Sequence, residues 1–194
     1  MGRVEENKEQ KRQNLMDAAF RLFTSQGVAR TSVSDITKES GVAKGTFYLY
    51  FHDKYDLQER LVIQEAEKLF SHALKHSGYK EKKDPTEQIL AVTDDILFQL
   101  NRKHLLLKFI NKNLSWGVFR RAISKSQTDY AAVFLDIIGA SPERQNDLLI
   151  YIYMVLELIG STCVSVILDK DPVPFDEYLP YLHSSIAAII RTFQ

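Results

Sequence analysis

The amino-acid sequence predicts an all-α protein: a small N-terminal helical domain followed by a larger helical bundle. Three observations carry this expectation. Glycine and proline are sparse, eight and five in 194 residues, and such thin punctuation favours long helices over many short strands. Apolar residues recur at helical rather than strand spacing. Several runs open on a capping residue and close on glycine, as helices do.

The elements follow in order. Leu15, Ala18, Ala19, Leu22 and Phe23 share one face of a helix over residues 8–26, with Gly27 just beyond as its C-terminal stop. Thr31 or Ser32 caps a second, short helix, and Asp35 stands three residues after Ser32 as in a capping box. Val33 and Ile36 form its apolar face, and Gly41 breaks it. Lys44 to Tyr50 makes a third segment with no room for a long loop before it. Two short helices joined by a tight glycine turn are the helix-turn-helix signature. A long amphipathic run extends from Lys54 to about His76, carrying Leu57, Leu61, Ala66, Leu69, Phe70, Ala73 and Leu74.

After the polar loop 77–83, Asp84 caps a helix that begins with Pro85, has Glu87 in capping-box position and runs to about Leu100. Residues 103–113 and roughly 115–139 read as two more helices, the latter closing at Gly139. Ser141-Pro142 opens the next by the same cap-then-proline logic, and Asp171-Pro172-Val173-Pro174 ends the connection after it. The last helix holds Tyr178, Leu182, Ile186, Ile189, Ile190 and Phe193 on one side. Pro180 lies within that pattern and predicts a kink or a late start. The expected domains are 1–53, a three-helix helix-turn-helix domain, and 54–194, an all-helical domain.

Composition narrows the function classes. The chain is 45% hydrophobic and 26% charged, as soluble globular proteins are. The single Cys163 excludes an internal disulfide framework and a cysteine zinc cluster, and it suits the reducing cytoplasm. The opening Met1 to Lys8 is polar and reads as no secretion signal, and Asn7 in place of Ser or Thr argues against myristoylation. Net charge is zero but segmented. Residues 1–54 carry nine Lys/Arg against seven acids, 55–100 six against nine, 101–126 seven against none, and 127–194 three against nine. Any attraction to nucleic acid is therefore local.

The informative stretch is Gly41 to Lys54. It places Phe47, Tyr48, Tyr50 and Phe51 within five residues of a short helix, and only part of that face can be buried. Phe47 and Phe51 are four apart and can pack inward together. Lys44, Thr46, Tyr48 and Tyr50 then project elsewhere. Lysine neutralises phosphate or donates to guanine, hydroxyls bond phosphate oxygens, and aromatic edges meet thymine methyls. Gly45 permits close backbone approach to a phosphate, and the amides opening the next helix at Lys54 can hold another.

Together, Ala18-Ala19, Leu22-Phe23, Gly27, Thr31-Ser32-Val33, Ile36, Gly41-Val42, Gly45 to Phe51 and Lys54 closely resemble the DNA-binding domain of TetR-family regulators. The match covers about residues 10–60; beyond it only length and helical architecture fit. The resemblance implies base contacts from Lys44, Gly45 and Tyr48, and phosphate contacts from Thr31, Thr46, Tyr50 and Lys54. Leu49 departs from a position often aromatic in the family. The resemblance also implies a homodimer on double-stranded DNA, with two recognition helices reading a roughly palindromic operator. The expected function is ligand-responsive transcriptional regulation, repression being the family's usual mode, with release by an unknown small-molecule effector. The alternative is a DNA-binding regulator controlled by a protein partner, with no small-molecule pocket.

Other features weigh in more quietly. His72 and His76 are spaced for a shared metal, but their polar neighbours and the lack of a Glu-x-x-His companion favour a solvated face. No nucleophile–base constellation, glycine-rich phosphate loop or metal spacing supports an enzyme, a cofactor or a metal site. Leu148 to Leu168 could span a membrane by length. Glu157 near its centre, with Ser161, Thr162 and Ser165, argues instead for a soluble helix buried between its own core and a partner subunit. That places Tyr151, Val155, Leu182, Ile186, Ile189 and Ile190 at a dimer interface. Glu157, as a buried carboxylate, needs a structural or ligand partner. Phe109, Trp116, Phe119, Tyr130, Phe134 and Glu157 are the candidate lining of an effector pocket. The acid-free stretch from Arg102 to Lys125 reads as a solvated basic face or an anion site.

Overall fold

The computed structural model describes residues 3–125, 130–139 and 141–193. The described residues are helical with no strand: α1 (Arg3–Gln26), α2 (Val33–Ser40), α3 (Lys44–Tyr50), α4 (Lys54–His76), α5 (Pro85–Arg102), α6 (His104–Asn113), α7 (Trp116–Lys125), α8 (Tyr130–Ile138), α9 (Gln145–Leu168) and α10 (Phe175–Phe193). Short 3-10 turns at Tyr79–Glu81 and Pro142–Arg144 precede α5 and α9.

The chain divides into two compact units, residues 1–65 and 66–194. The division falls inside α4 rather than between residues 53 and 54. The reason is packing: Leu57, Leu61 and Val62 on the first turns of α4 are buried with the first unit's core.

In that first unit, Leu15, Met16, Ala18 and Ala19 of α1 are fully buried with Ile36 of α2 and Phe47 of α3. The rings of Phe47 and Phe51 lie 5.5 Å apart, both out of solvent. Each such side chain contributes roughly 1.5–3 kcal/mol of burial energy. The α2 cap is a full capping box: the Ser32 hydroxyl accepts from the Asp35 amide at 3.1 Å, and the Asp35 carboxylate accepts from the Ser32 amide at 2.8 Å. Gly41 ends α2 in the left-handed region (φ 68°), its N–H donating back to Lys38 and Thr37 carbonyls. An L side chain there would be strained, so the glycine makes the tight turn into α3 possible.

In the second unit, Leu97, Leu148, Cys163, Val166, Leu182 and Ile186 are buried. Polar ties cross the helices. His183 Nε2 lies 2.7 Å from Asp94 Oδ1, joining α10 to α5, and His72 Nδ1 lies 2.9 Å from Asp95 Oδ1, joining α4 to α5. Tyr178 donates to the Thr162 hydroxyl at 2.6 Å, joining α10 to α9.

Within the stretch 115–139, Trp116–Lys125 (α7) and Tyr130–Ile138 (α8) are helical, and residues 126–129, on which its continuity as one helix turns, lie outside the described residues. Two expectations are corrected. The Ser141-Pro142 start yields a 3-10 turn, and α9 proper begins at Gln145. Pro180 neither delays nor ends α10, which starts at Phe175. Six residues into the helix, proline removes one i→i−4 bond and its ring crowds the Asp176 carbonyl.

Candidate nucleic-acid interface and cavity

The inward side of α3 is settled by Phe47, which leaves the rest of this seven-residue helix to face out. Lys44 and Gly45 are exposed at its start, and Tyr48 is 54% exposed one turn later. Lys44 Nζ donates to the Ser34 hydroxyl of α2 at 3.1 Å, which pre-positions the ammonium without burying it. A Cβ added at Gly45 would meet nothing within 4 Å, so no packing inside the chain requires glycine there. The N-cap Ala43 gives α3 no side-chain hydrogen bond. Leu49 is 80% exposed, the most open of the large apolar side chains among the described residues. An outward leucine has no local reason to be there. Thr46 and Tyr50 are half-buried at the edges of this face.

Two of the expected phosphate contacts are otherwise engaged. Thr31 is 1% exposed; its hydroxyl donates to the Gly27 carbonyl at 2.9 Å and accepts from the Gln26 amide at 3.2 Å. Lys54 Nζ donates to the carbonyls of Val28 at 2.8 Å, Ala29 at 3.2 Å and Thr31 at 2.8 Å. An ammonium has three donors, and all three close the α1–α2 loop onto α4. The start of α4 is also unsuited to a phosphate. Asp53 Oδ1 accepts from the amides of Tyr55 (2.8 Å) and Asp56 (2.9 Å), and Asp56 Oδ2 accepts from the His52 amide at 2.9 Å. The Asp56 amide hydrogen bond leads the causes holding the Asp53 carboxyl below its ordinary range, so a carboxylate already occupies the positive helix end. Sequence reasoning missed Ser34 as the partner of Lys44, since that pairing joins two helices ten residues apart.

The second unit contains a cavity of about 340 Å³. Trp116, Phe119, Phe134 and Glu157 of the expected lining are among its walls; Phe109 and Tyr130 are buried but are not. Ile89, Leu107, Tyr151, Val155 and Ile189 also line it. Within the single chain Glu157 is exposed on α9, so burial of its carboxylate would rest on a second copy. The expected dimer set is corrected. Leu182, Ile186 and Ile190 are 1%, 0% and 5% exposed, so they are core and have no surface for a partner. Tyr151, Val155 and Ile189 turn toward the cavity instead. The reason is register: these six residues lie on the inner faces of α9 and α10. The outer faces carry Ile150 (58% exposed), Met154 (45%) and Tyr181 (71%). Helix α9 is long and apolar enough to cross a membrane by composition, with little of it buried within the chain.

Comparison with known proteins bears on the first unit most directly. Residues 15–61 match the model of the bacterial regulatory proteins of the tetR family. The regulator AcrR of Shigella flexneri is 42% identical over 55 residues, 28% of this chain and 26% of that protein. TtgR of Pseudomonas putida is 31% identical over 83 residues, 43% of this chain and 39% of its own length. The chain thus spans about a quarter to a half of the curated relatives it matches. Solved structures extend the likeness of fold to both units. The fatty acid degradation regulator FadR of Bacillus halodurans superimposes with a TM-score of 0.63 at 19% identity, covering 91% of this chain and 94% of that one. FadR of Bacillus subtilis, solved with stearoyl-CoA, gives 0.57 at 21%, covering 92% and 96%. Residues 15–61 are thus similar to the bacterial regulatory proteins of the tetR family, and the all-helical fold of both units is similar to solved structures of tetR-family regulators.

Proposed function

We propose that the chain is a cytoplasmic, DNA-binding transcriptional regulator that acts as a homodimer on a roughly palindromic operator and is released by a small molecule. Repression is the mode adopted. The observation that carries the reading is the outward face of α3, where Lys44, Gly45, Tyr48 and Leu49 stand exposed on a helix anchored by Phe47. A lysine, a bare backbone, a phenol and an apolar side chain on one short helix fit phosphate, base edge and thymine methyl in a major groove. Thr31 and Lys54 then hold the scaffold, while Thr46 and Tyr50 border the groove-facing side.

A two-fold dimer would present two such helices to successive grooves. The stripe Ile150, Met154, Glu157 and Ser161 on α9, with Tyr181 on α10, is the surface proposed to pair with a second copy. The cavity supports control by a small molecule over control by a protein partner, because a solid second unit offers an effector no place. An effector can shift DNA affinity only if it prefers one conformational state. The helix α4 contributes residues to both units and is the element through which such a preference could be felt. The reading assigns the chain no catalytic role.

The test is selection of bound duplexes from a random pool, followed by fluorescence anisotropy with the full chain. A palindromic site, bound two protomers per duplex and lost in K44A and Y48A, is the expected result. A protein that selects no sequence, or whose binding survives both substitutions, overturns the reading.

A further inference from the structure

We propose that His72 and His76 form a binding site for a divalent transition-metal ion of the imidazole-preferring class, copper, nickel or zinc, on the exposed side of α4 in the second unit. The site is built from α4 and α5 alone and is independent of the DNA and effector readings. Spacing by itself puts two histidines on one helix face and leaves open whether their rings meet. The structure brings them together: the ring centres are 4.4 Å apart, with 39° between the planes. Two imidazoles that bind one ion at about 2.1 Å, roughly at a right angle, have ring centres about 4.5 Å apart. The pair therefore already has the separation that a shared ion needs. Both residues are exposed, so an ion and its remaining water ligands can reach them.

The second observation is a built support for His72. Its Nδ1 lies 2.9 Å from Asp95 Oδ1 on α5. A carboxylate only accepts hydrogen bonds, so Nδ1 carries the proton and the lone pair of the neutral ring sits on Nε2. A carboxylate behind a histidine is the arrangement that fixes tautomer and ring orientation in metal sites and raises the basicity of the ligating nitrogen. Asp95 is held in turn. The same Oδ1 accepts from Gln99 Nε2 at 2.7 Å, and that amide also donates to the Leu69 carbonyl of α4 at 3.4 Å. The Asp95 side chain is 19% exposed against 47% for His72, so the support lies beneath the ligand and the open side faces water. Among the described residues no set of three His, Cys, Asp or Glu side chains converges on a metal, which makes this a two-point clamp with water completing the coordination. Imidazole nitrogens select copper, nickel and zinc over magnesium and calcium, which prefer oxygen. The competing use of the pair is an ion pair of protonated His72 with Asp95. It accounts for the Asp95 contact and gives His76 no part, whereas one metal ion engages both rings.

The experiment uses the full chain without a histidine tag, stripped by chelator and dialysed. Calorimetric titration with the chlorides of copper(II), nickel(II), zinc(II) and magnesium is expected to give one transition-metal ion per protomer, tightest for copper, and no magnesium binding. Electron paramagnetic resonance of the copper form is expected to show two coordinated nitrogens. D95N keeps the shape of the support and removes its charge; it is expected to weaken copper roughly tenfold, and H72Q and H76Q more than that. H76Q removes a ligand without touching the Asp95 contact, so its metal-free urea midpoint is expected to stay unchanged. H104A, at another of the chain's five histidines, is expected to leave copper binding as it was. Absence of saturable binding, a single coordinated nitrogen, unchanged affinity in D95N, or losses as large in H104A as in H76Q each overturns the proposal. Copper affinity that falls in H72Q and survives in H76Q assigns His72 to the ion pair with Asp95 and overturns it as well.

Discussion

Replacing Lys54 by methionine separates a structural lysine from a phosphate-binding one. The K54M change keeps most of the stem and removes three hydrogen bonds, to Val28, Ala29 and Thr31 carbonyls. A hydrogen bond from a charged donor contributes about 1.5–3 kcal/mol in protected surroundings. Lys54 is half-buried, so water takes over part of each bond in the variant. A total loss of about 2 kcal/mol is expected, well below three full bonds. Urea unfolding followed by circular dichroism measures it. Hydrogen exchange places it, with protection falling in α1 to α3. The discriminating assay is salt dependence. A lysine on a phosphate lowers the slope of log affinity against log salt by about 0.9 per protomer when removed. For K54M the slope is expected to stay unchanged, with affinity falling only as far as the unit loosens; for K44A the slope falls by that amount and stability holds. A K54M protein of full stability whose slope drops by about one per protomer would show that Lys54 leaves the loop carbonyls for DNA, and the reasoning here would be refuted.

Other expectations follow from burial and bonding. Y48A, at a residue 54% exposed, is expected to cost operator affinity about 1–3 kcal/mol with no change in urea midpoint; a lowered midpoint would mean the ring packs rather than reads. T31V keeps the shape and removes the buried hydroxyl bonded to Gly27, so a loss of about 1 kcal/mol in stability with an unchanged salt slope is expected. I186A empties a fully buried site and should cost roughly 2–5 kcal/mol of folding stability. M154D, on the open face of α9, should leave the monomer folded and dissociate the dimer in sedimentation; dimers that persist in M154D place the interface elsewhere. Burial pushes the Cys163 thiol from its ordinary 9.0 up to about 11. The folded state therefore keeps a proton that the unfolded chain releases. Stability should fall as pH climbs from about 9 toward 11, and alkylation at neutral pH should be slow until the protein is unfolded.

Much of the architecture was legible in the sequence because local chemistry determines it. Ser32 with Asp35, Asp84 with Pro85, and the glycines after α1 and α2 mark helix ends through bonds that span three or four residues. The split of α3 into a buried Phe47–Phe51 pair and an outward Lys44–Tyr48 face follows from helical spacing alone. Tertiary structure decided what those local rules cannot reach. Whether a polar side chain stands free or is engaged depends on carbonyls far along the chain. Lys54 is occupied by residues 23 to 26 positions earlier, and Thr31 closes a loop instead of facing a phosphate. Which side of an almost uniformly apolar helix faces inward is likewise unreadable from periodicity when every side is greasy. In α9 the neighbours chose, leaving Ile150, Met154 and Glu157 outside; in α10 the pattern marks Leu182, Ile186 and Ile190 as one face, and packing decided that this face meets the chain's own core. Sequence patterning resolves faces by contrast between polar and apolar positions. Where that contrast fails, only packing against the rest of the fold assigns them.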